Sequence, residues 1–317
     1  MLKPVPLPPP VRPGARVGVA ALSGPVDSAR LDEGLDGLRE LGYEPVEAKN
    51  LRSRHGLFAA SDDARLEAFH ALASRDDVEA IVFARGGWGV LRILPRIDWN
   101  LLRRRPRAYV GYSDLTPFLQ QVIERVGVAS FHGPMVAADL SRGLDDRETA
   151  SFVGSLLGEL PTEVELHDHF GVSERPDEVT TGVLLGGCLS LLVSTLGTPW
   201  AGDLDGSLLF LEDLDEPPYR VDRMLTHLRL SGTLTRIGGM IVGHLHCEGR
   251  PEPTAWNGEV TLRGVLREMA EEFSWPLVEG LDAGHAAPNL TLPLGTLCSI
   301  GRGGRTLRLA IDAADAC

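Results

Sequence analysis

Short apolar segments alternate with amphipathic segments through residues 15–126, and this alternation limits the fold more than any other feature of the sequence. Continuous apolar runs that end in glycine or serine turns predict buried strands, whereas leucines spaced three or four positions apart predict helices. Because a helix follows each strand, the segment favours a parallel sheet with helices on both faces. The predicted strands are 15–22, 43–48, 78–84 and 108–111, and the predicted helices are 30–41, 62–74 and 116–126.

The second half of the chain carries shorter and more mixed signals. Residues 139–180 are polar and acidic and include a predicted helix over 146–157, which places a domain boundary in this region. The segments beyond it predict an α+β domain with a mixed sheet. The predicted elements there are strands at 182–186, 207–211, 239–243 and 306–311 and a helix at 219–230. The predicted organisation is a proline-rich lead-in (1–14), an N-terminal domain (15–140), a linker region (141–180) and a C-terminal domain (181–317).

Charge and composition narrow the class of partner. The 317 residues carry a net charge of −13, which disfavours binding to nucleic acid or to an anionic membrane surface. The proline-rich start lacks the apolar core of a signal peptide, and no apolar stretch reaches the ~18–20 residues that a membrane span needs. The four cysteines are scattered without a Cys-x-x-Cys pair, which disfavours a disulfide framework or a structural zinc site. We therefore expect a cytoplasmic protein.

Ser113 lies between the predicted strand 108–111 and the predicted helix 116–126. A serine there projects its hydroxyl at the carboxyl end of a parallel sheet, where α/β proteins bind ligands. It also lies beside a helix N-terminus, whose N–H groups can stabilise an oxyanion. The pattern Gly-x-Ser-Asp-x-Thr differs from the Gly-x-Ser-x-Gly elbow of α/β-hydrolases. Local sequence therefore supports two interpretations, a nucleophilic serine or a helix N-cap formed by Ser113 or Asp114.

A serine nucleophile needs a base, and the chain contains nine histidines. His285 is the first candidate, because its loop of small residues, Asp-Ala-Gly-His-Ala-Ala-Pro-Asn, would let the ring reach into a cleft. His132 in Phe-His-Gly-Pro-Met is the second candidate. His244 and His246 in Gly-His-Leu-His-Cys resemble half of a metal site, but no second cluster has matching spacing, so a structural role at a strand end is favoured.

The base in turn needs an acidic residue that orients its ring. Glu212 comes directly out of the apolar run of the predicted strand 207–211. Asp213, Asp215 and Glu216 follow at once, so composition alone does not choose among the four carboxylates.

The turn Arg-Gly-Gly-Trp-Gly at 85–89 follows the predicted strand 78–84 and precedes a predicted helix at 90–94. Its spacing does not match the Gly-x-Gly-x-x-Gly dinucleotide fingerprint. Glycines permit close backbone approach to a ligand, so the turn is interpreted as a set of N–H donors facing Ser113, that is, half of an oxyanion hole. The alternative is a tight turn without a ligand.

Six blocks of the sequence stand out together, at residues 84–89, 110–116, 131–135, 186–190, 211–225 and 284–285. As an ordered set they resemble the LD-carboxypeptidase family of serine peptidases, which also includes the microcin C self-immunity hydrolases. They occur in the family's order and extend from about residue 15 to about residue 310. One departure is the double proline of Glu-Pro-Pro-Tyr at 216–219, where the family pattern has one proline or another residue before Pro-Tyr. The blocks are Ala-Arg-Gly-Gly-Trp-Gly (84–89), Val-Gly-Tyr-Ser-Asp-Leu-Thr (110–116), Phe-His-Gly-Pro-Met (131–135), Gly-Gly-Cys-Leu-Ser (186–190), Leu-Glu-Asp-Leu-Asp-Glu-Pro-Pro-Tyr-Arg-Val-Asp-Arg-Met-Leu (211–225) and Gly-His (284–285).

The resemblance implies that Ser113 is the nucleophile, His285 the general base and Glu212 the orienting acid, without a metal or other cofactor. It assigns the N–H groups of an oxyanion hole to Asp114 and to the turn Gly86–Gly87. It implies a flavodoxin-like N-terminal half with a parallel sheet and a C-terminal α+β half built around a small β-barrel-like sheet. The family also suggests a homodimer.

The family's typical substrate is the murein tetrapeptide, a cytoplasmic recycling product from which the terminal D-Ala is removed. The resemblance therefore implies a serine carboxypeptidase that cleaves the amide between the L-centre of a diamino acid and a C-terminal D-amino acid. Such a substrate carboxylate needs a cation, and arginine binds carboxylates bidentately. Arg85, Arg220 and Arg223 are candidates for this contact, although each is also suited to a structural ion pair.

Two other functions are compatible with the sequence. A microcin-immunity-type hydrolase would cleave the amide of a peptidyl- or aminoacyl-nucleotide and would need an aromatic side chain to stack on adenine. Trp88, Trp200 and Trp256 are candidates for that role, although large aromatic side chains more often serve packing. A catalytically inactive small-molecule binding protein would also suit two α/β-type domains. The presence of serine, histidine and glutamate in matching blocks argues against this last function.

Overall fold

The computed structural model describes residues 3–161, 163–167, 179–246 and 261–309. The strands are β1 (Arg16–Ala20), β2 (Glu44–Glu47), β3 (Ala80–Phe83), β4 (Ala108–Gly111), β5 (Ser130–His132), β6 (Glu163–Glu165), β7 (Thr180–Cys188), β8 (Ser207–Leu214), β9 (Gly239–His246), β10 (Leu277–Glu279), β11 (Leu292–Leu294), β12 (Leu297–Ile300) and β13 (Thr306–Arg308). The α-helices are α1 (Ser28–Glu40), α2 (Asp62–Ala73), α3 (Val90–Ile93), α4 (Trp99–Arg104), α5 (Thr116–Gln121), α6 (Asp146–Leu157), α7 (Leu189–Thr195), α8 (Pro218–Leu230) and α9 (Leu262–Phe273).

Two units divide the chain. The N-terminal unit consists of Val5–Leu160 together with Pro288–Gly295, and the C-terminal unit consists of the described residues of Met1–Pro4, Pro161–Ala287 and Thr296–Cys317. The N-terminal unit contains a six-stranded sheet and the C-terminal unit a seven-stranded one. The chain therefore leaves the first unit after α6 and returns to it for one short segment late in the sequence.

The sheet of the N-terminal unit has the strand order β11-β5-β4-β3-β1-β2. Strands β1 to β5 are parallel to their neighbours, and β11 pairs antiparallel with β5. The order 2-1-3-4-5 is that of doubly wound sheets, which bind ligands at the carboxyl ends of their strands. The strand residues Val19, Val82 and Val110 are fully buried, as helices on both faces require. The predicted parallel α/β sheet of this half is confirmed.

Several elements of this unit differ from the prediction, and helix α4 was not predicted at all. Strands β5 and β11 were not predicted, because each has three residues and lies in a segment rich in turn residues. The predicted helix 116–126 is α5 followed by a π-helical turn, Val122–Val126. That turn ends at Gly127, whose φ of 84° is readily available to glycine.

The sheet of the C-terminal unit has the strand order β10-β9-β8-β7-β12-β13-β6. The first four strands are mutually parallel, and the remaining pairs are antiparallel. The predicted mixed sheet is therefore present. The pairings among the described strands form an open order, and the predicted β-barrel-like closure is not among them. Of the predicted strand 306–311, residues 306–308 form β13, while residues 310–311 lie outside the described residues.

Strand β7 extends beyond the predicted strand 182–186, because glycines within it hid its full length in the sequence. Gly186 and Gly187 have φ values of 128° and 133°, and they interrupt the apolar pattern. A Cβ added to Gly186 would lie 1.9 Å from the backbone oxygen of Phe210 on β8, so the close approach of these two strands requires glycine. Helix α8 matches the predicted helix 219–230 to within one residue. None of the helices of the described residues has the length and apolar character of a bilayer span.

Candidate active site

Ser113 follows β4 after one intervening residue and opens a 3₁₀ turn, Ser113–Leu115, that leads into α5. Its φ of 61° lies in the left-handed region, which non-glycine residues seldom adopt. Strained backbone of this kind clusters at active sites, where it fixes the direction of a side chain. In the described stretch 3–161, neither the 3₁₀ turn nor α5 has a hydrogen bond from a capping side chain. The structure therefore does not support the helix-cap interpretation of Ser113.

The glycine turn packs directly against this serine. A Cβ added to Gly86 would lie 2.8 Å from both Cβ and Oγ of Ser113 and 3.5 Å from the backbone nitrogen of Asp114. The backbone oxygen of Gly86 accepts a hydrogen bond from the N–H of Gly24 at 3.2 Å. Gly87 has a φ of 117°, which again favours glycine. The predicted neighbours Ser113, Gly86 and Asp114 are thus brought together within the N-terminal unit.

Asp114 connects the serine turn to the glycine turn. Its side chain is fully buried, and Oδ2 accepts a hydrogen bond from the N–H of Val90 at 2.9 Å. Burial raises the pKa of the Asp114 carboxyl, and the hydrogen bond from Val90 acts against that rise. The carboxylate therefore holds the residue that follows the glycine turn, while the backbone N–H of Asp114 lies beside Ser113.

Glu212 and His285 form a hydrogen-bonded pair in the C-terminal unit. Nδ1 of His285 lies 2.6 Å from Oε2 of Glu212. Because an ionised carboxylate only accepts hydrogen bonds, Nδ1 carries the proton and Nε2 is the nitrogen suited to proton transfer. Glu212 is fully buried, and the side chain of His285 is 14% exposed. Burial raises the pKa of the Glu212 carboxyl, and the hydrogen bond from His285 acts in the opposite direction.

Local backbone features aim these two side chains at each other. Strand β9 has one more residue than β8 between the pairs Leu211–Val242 and Asp213–Leu245, so a bulge lies opposite Glu212. Gly284 has a φ of 128°, and a Cβ added there would lie 2.8 Å from Oε2 of Glu212. Only glycine therefore lets the loop before His285 pass so close to the carboxylate.

The other three acidic residues of this segment have different surroundings. Asp213 is buried, and its carboxylate accepts hydrogen bonds from the N–H groups of Ser190 at 2.7 Å and Leu214 at 2.9 Å. Asp215 is exposed, and Glu216 lies 3.5 Å from Arg220. Of the four carboxylates that composition left open, Glu212 is the one that contacts a candidate base.

The remaining candidate histidines occupy other environments. His132 lies on β5, is fully buried, and has its ring 5.6 Å from that of Tyr112. Nδ1 of His244 accepts a hydrogen bond from the N–H of Ala286 at 3.3 Å, and Nε2 lies 4.0 Å from Asp282. The side chain of His246 lies outside the described residues. Nowhere in the described ranges do three His, Cys, Asp or Glu side chains gather as they would around a metal ion.

Two of the predicted substrate-binding residues, Arg85 and Trp88, belong to the glycine turn itself. Arg85 is exposed, and its Nη1 donates to the backbone oxygen of Pro25 at 3.2 Å. It forms no ion pair with a carboxylate of the described residues. Trp88 is 45% exposed, so part of its large apolar side chain faces solvent. Both side chains therefore extend from the turn that adjoins Ser113.

The other predicted substrate-binding residues belong to the C-terminal unit. Arg220 and Arg223 are exposed on α8, where Arg220 faces Glu216 and the guanidinium of Arg223 lies 5.8 Å from the ring centre of Tyr219. Trp200 is partly buried, and Trp256 lies outside the described residues. No role was predicted for Gly24 or for Gly284, although the turn Ser-Gly-Pro at 23–25 and the small-residue loop around His285 are visible in the sequence.

Comparison with known proteins gives consistent matches. Residues 17–133 match the LD-carboxypeptidase N-terminal domain, and residues 181–300 match the LD-carboxypeptidase C-terminal domain. The "Probable murein peptide carboxypeptidase" of Bacillus subtilis is 36% identical over 92% of this chain and 91% of that protein. The "Murein tetrapeptide carboxypeptidase" of Pseudomonas aeruginosa is 30% identical over 88% of this chain and 91% of that protein.

A crystal structure and a more distant relative extend the comparison. The muramoyltetrapeptide carboxypeptidase of Oxalobacter formigenes has a TM-score of 0.81 and 29% identity, and the match covers 92% of this chain and 97% of that one. The microcin C7 self-immunity protein MccF of Escherichia coli is 24% identical over 92% of both chains. The chain therefore belongs to the LD-carboxypeptidase family of peptidases and is a hydrolase by family.

Proposed function

We propose that the chain is a serine-type LD-carboxypeptidase that removes the C-terminal D-Ala from murein tetrapeptides in cytoplasmic cell-wall recycling. The observation that carries the proposal is the contact of 2.6 Å between His285 and Glu212, since it is the base–acid pair that a serine nucleophile requires. The left-handed turn at Ser113 and the names of the two murein peptide carboxypeptidases add support. The bond to be cleaved joins the L-centre of the diamino acid to D-Ala.

In the proposed mechanism, Oγ of Ser113 attacks the carbonyl carbon of this amide while Nε2 of His285 takes the hydroxyl proton. The tetrahedral intermediate collapses, and His285 gives that proton to the nitrogen of the leaving D-Ala. A water molecule then attacks the acyl-enzyme, with His285 again taking and returning one proton, so that Ser113 is regenerated. Glu212 holds the imidazole in the correct tautomer and stabilises the imidazolium that forms twice in this cycle.

Negative charge develops on the carbonyl oxygen during both steps. We assign its stabilisation to the N–H groups of Gly86, Gly87 and Asp114, because the glycine turn lies against Oγ of Ser113. Arg85 is the favoured partner of the substrate's terminal carboxylate, since it is exposed within this turn and has no carboxylate partner among the described residues. Arg220 already faces Glu216, which makes it the weaker candidate.

Mass-spectrometric product analysis on a small panel of substrates tests this function. The panel contains murein tetrapeptides with lysine or diaminopimelate, the same peptides ending in L-Ala, and an aminoacyl-sulfamoyl adenylate. We expect a tripeptide and free D-Ala from the tetrapeptides only. Cleavage of the adenylate alone would instead indicate the microcin-immunity type of activity, and no product from any compound would contradict the proposal.

Gly86→Ala is expected to lower kcat/KM for the tetrapeptide by about tenfold or more, because displacement of a reacting group by a fraction of an ångström is costly. The added methyl group would lie 2.8 Å from Oγ of Ser113 and must displace either the serine or the turn. The matched control is Gly238→Ala, where the added methyl group meets nothing closer than 3.4 Å. Steady-state kinetics on both variants check this, and equal activity of the two would contradict the assigned role of the turn.

A further inference from the structure

Arg65 is a fully buried cation on α2, a helix of the N-terminal unit. Its Nη1 donates to the backbone oxygens of Leu22 and of Gly89, the latter at 3.1 Å. Its Nη2 donates to Oδ1 of Asp62 at 2.6 Å. Because removing a guanidinium from water is costly, an apolar side chain would fill this position more simply. The burial of a charged side chain here therefore indicates that its hydrogen bonds to the backbone have a specific role.

Those two carbonyls belong to the segments that frame the glycine turn. Leu22 comes shortly after β1, and two residues later the N–H of Gly24 donates to the backbone oxygen of Gly86. Gly89 is the last residue of the turn and directly precedes α3. Nη1 of Arg65 therefore connects the segment of Leu22 and Gly24, which contacts the start of the glycine turn, to Gly89, which ends the turn.

The contact with Gly89 is tightly packed. Gly89 has a φ of 135°, and a Cβ added there would lie 2.6 Å from Nη1 of Arg65 and 2.9 Å from the ring of Phe58. The guanidinium carbon of Arg65 lies 5.0 Å from the centre of that ring, a cation–π distance. The turn therefore cannot shift towards α2 while Arg65 occupies this position.

Asp114 holds the residue next to Gly89. Its carboxyl group accepts the N–H of Val90 at 2.9 Å, so two fully buried side chains, Arg65 and Asp114, fix Gly89 and Val90. Burial raises the pKa of the Asp114 carboxyl, and the positive charge of Arg65 acts against that rise. The end of the glycine turn is therefore restrained by an arginine and by the residue that follows Ser113.

We propose that Arg65 is a positioning residue, which fixes the glycine turn so that the N–H groups of Gly86 and Gly87 stay where the oxyanion develops. It does not touch the substrate and acts only through Leu22 and Gly89. The inference rests on the proposed function, because preorganised donors stabilise a transition state without reorganising during the reaction. Loss of Arg65 should therefore lower kcat more than it changes KM.

The experiment compares Arg65→Met with Arg107→Met. Arg107 is a matched control, because it is a second buried arginine of the same unit. Its guanidinium donates to the backbone oxygen of Ala73 at 3.0 Å, and Ala73 does not belong to the glycine turn. For Arg65→Met we expect kcat on the tetrapeptide to fall roughly 10- to 100-fold with KM nearly unchanged. A peptide boronic acid, which forms a tetrahedral adduct, should lose a similar factor in affinity. Arg107→Met should keep the kcat of the wild type per folded molecule.

Hydrogen–deuterium exchange separates this inference from the proposed function. The peptide spanning residues 84–90 should exchange at least about tenfold faster in Arg65→Met than in the wild type or Arg107→Met, whatever the substrate is. If the wild-type protein cleaved none of the tetrapeptides, the proposed function would be overturned. The exchange rates of residues 84–90 would then still test whether Arg65 positions the turn. Unchanged exchange, or an equal loss of kcat in both methionine variants, would overturn the role of Arg65. If Arg65→Met does not fold, Arg65→Gln, which lacks both the positive charge and the forked donors of the guanidinium, takes its place with the same criteria.

Discussion

Replacement of Ser113 by alanine is expected to reduce the release of D-Ala from a murein tetrapeptide by roughly 10⁴- to 10⁶-fold. The variant lacks the oxygen that forms the acyl-enzyme, so only the oxyanion donors and substrate binding remain to accelerate direct attack by water. Alanine and serine tolerate the φ of 61° about equally, and the fold should therefore be retained. Release of D-Ala, followed by mass spectrometry under single-turnover conditions, gives the rate.

Ser74→Ala is the control for that substitution. Ser74 is an exposed serine of the same unit, and its Oγ donates to the backbone oxygen of His70 at 2.7 Å at the end of α2. Its removal should leave the hydrolysis rate near that of the wild type. A Ser113→Ala variant with the activity of Ser74→Ala would exclude Ser113 as the nucleophile.

Glu212→Gln and His285→Ala should each lower kcat by roughly 10³- to 10⁵-fold. Glutamine keeps the size of Glu212 but no longer offers a carboxylate to Nδ1 of His285, so the imidazolium loses its charge partner and the tautomer is no longer fixed. Alanine at position 285 removes the base itself. Because the two residues act as a unit, the double variant should lose hardly more than His285→Ala alone.

Two substitutions in the same unit serve as controls for this pair. Glu272 lies 2.9 Å from Arg229 in a surface ion pair, and His227 is exposed on α8. Glu272→Gln and His227→Ala should keep nearly full activity, because exposed ion pairs and exposed histidines contribute little. Strictly additive losses in the double variant of Glu212 and His285 would show that the two side chains do not act together. Steady-state and single-turnover kinetics on all five proteins decide between these outcomes.

The N-terminal sheet could be predicted because its signals are local. The strands β1, β3 and β4 are continuous apolar runs, and each ends at a glycine or a polar turn that marks the carboxyl edge of the sheet. Strand β11 could not be predicted, since it pairs with β5 from a distant part of the chain and has only three residues. Strand β7 was underestimated, because close approach to β8 requires glycines within it.

The candidate site was predictable to different degrees. The placement of Ser113 at a strand–helix junction is visible in the sequence, but its left-handed backbone depends on packing against Gly86. Glu212 could not be separated from the three acids that follow it, because the choice depends on a bulge in the neighbouring strand β9 and on the loop at Gly284. Arg65 carried no local signal, because its partners are backbone carbonyls far away in the sequence.

Peptide mapping after treatment with a fluorophosphonate probe identifies the nucleophile, because the probe bonds covalently to an activated serine oxygen. We expect one adduct, on the peptide that contains Ser113, with labelling that is lost in Ser113→Ala and strongly slowed in His285→Ala. The labelled wild type should no longer release D-Ala from a murein tetrapeptide. An adduct on a different serine, or full labelling in the absence of His285, would show that Ser113 is not a nucleophile activated by His285.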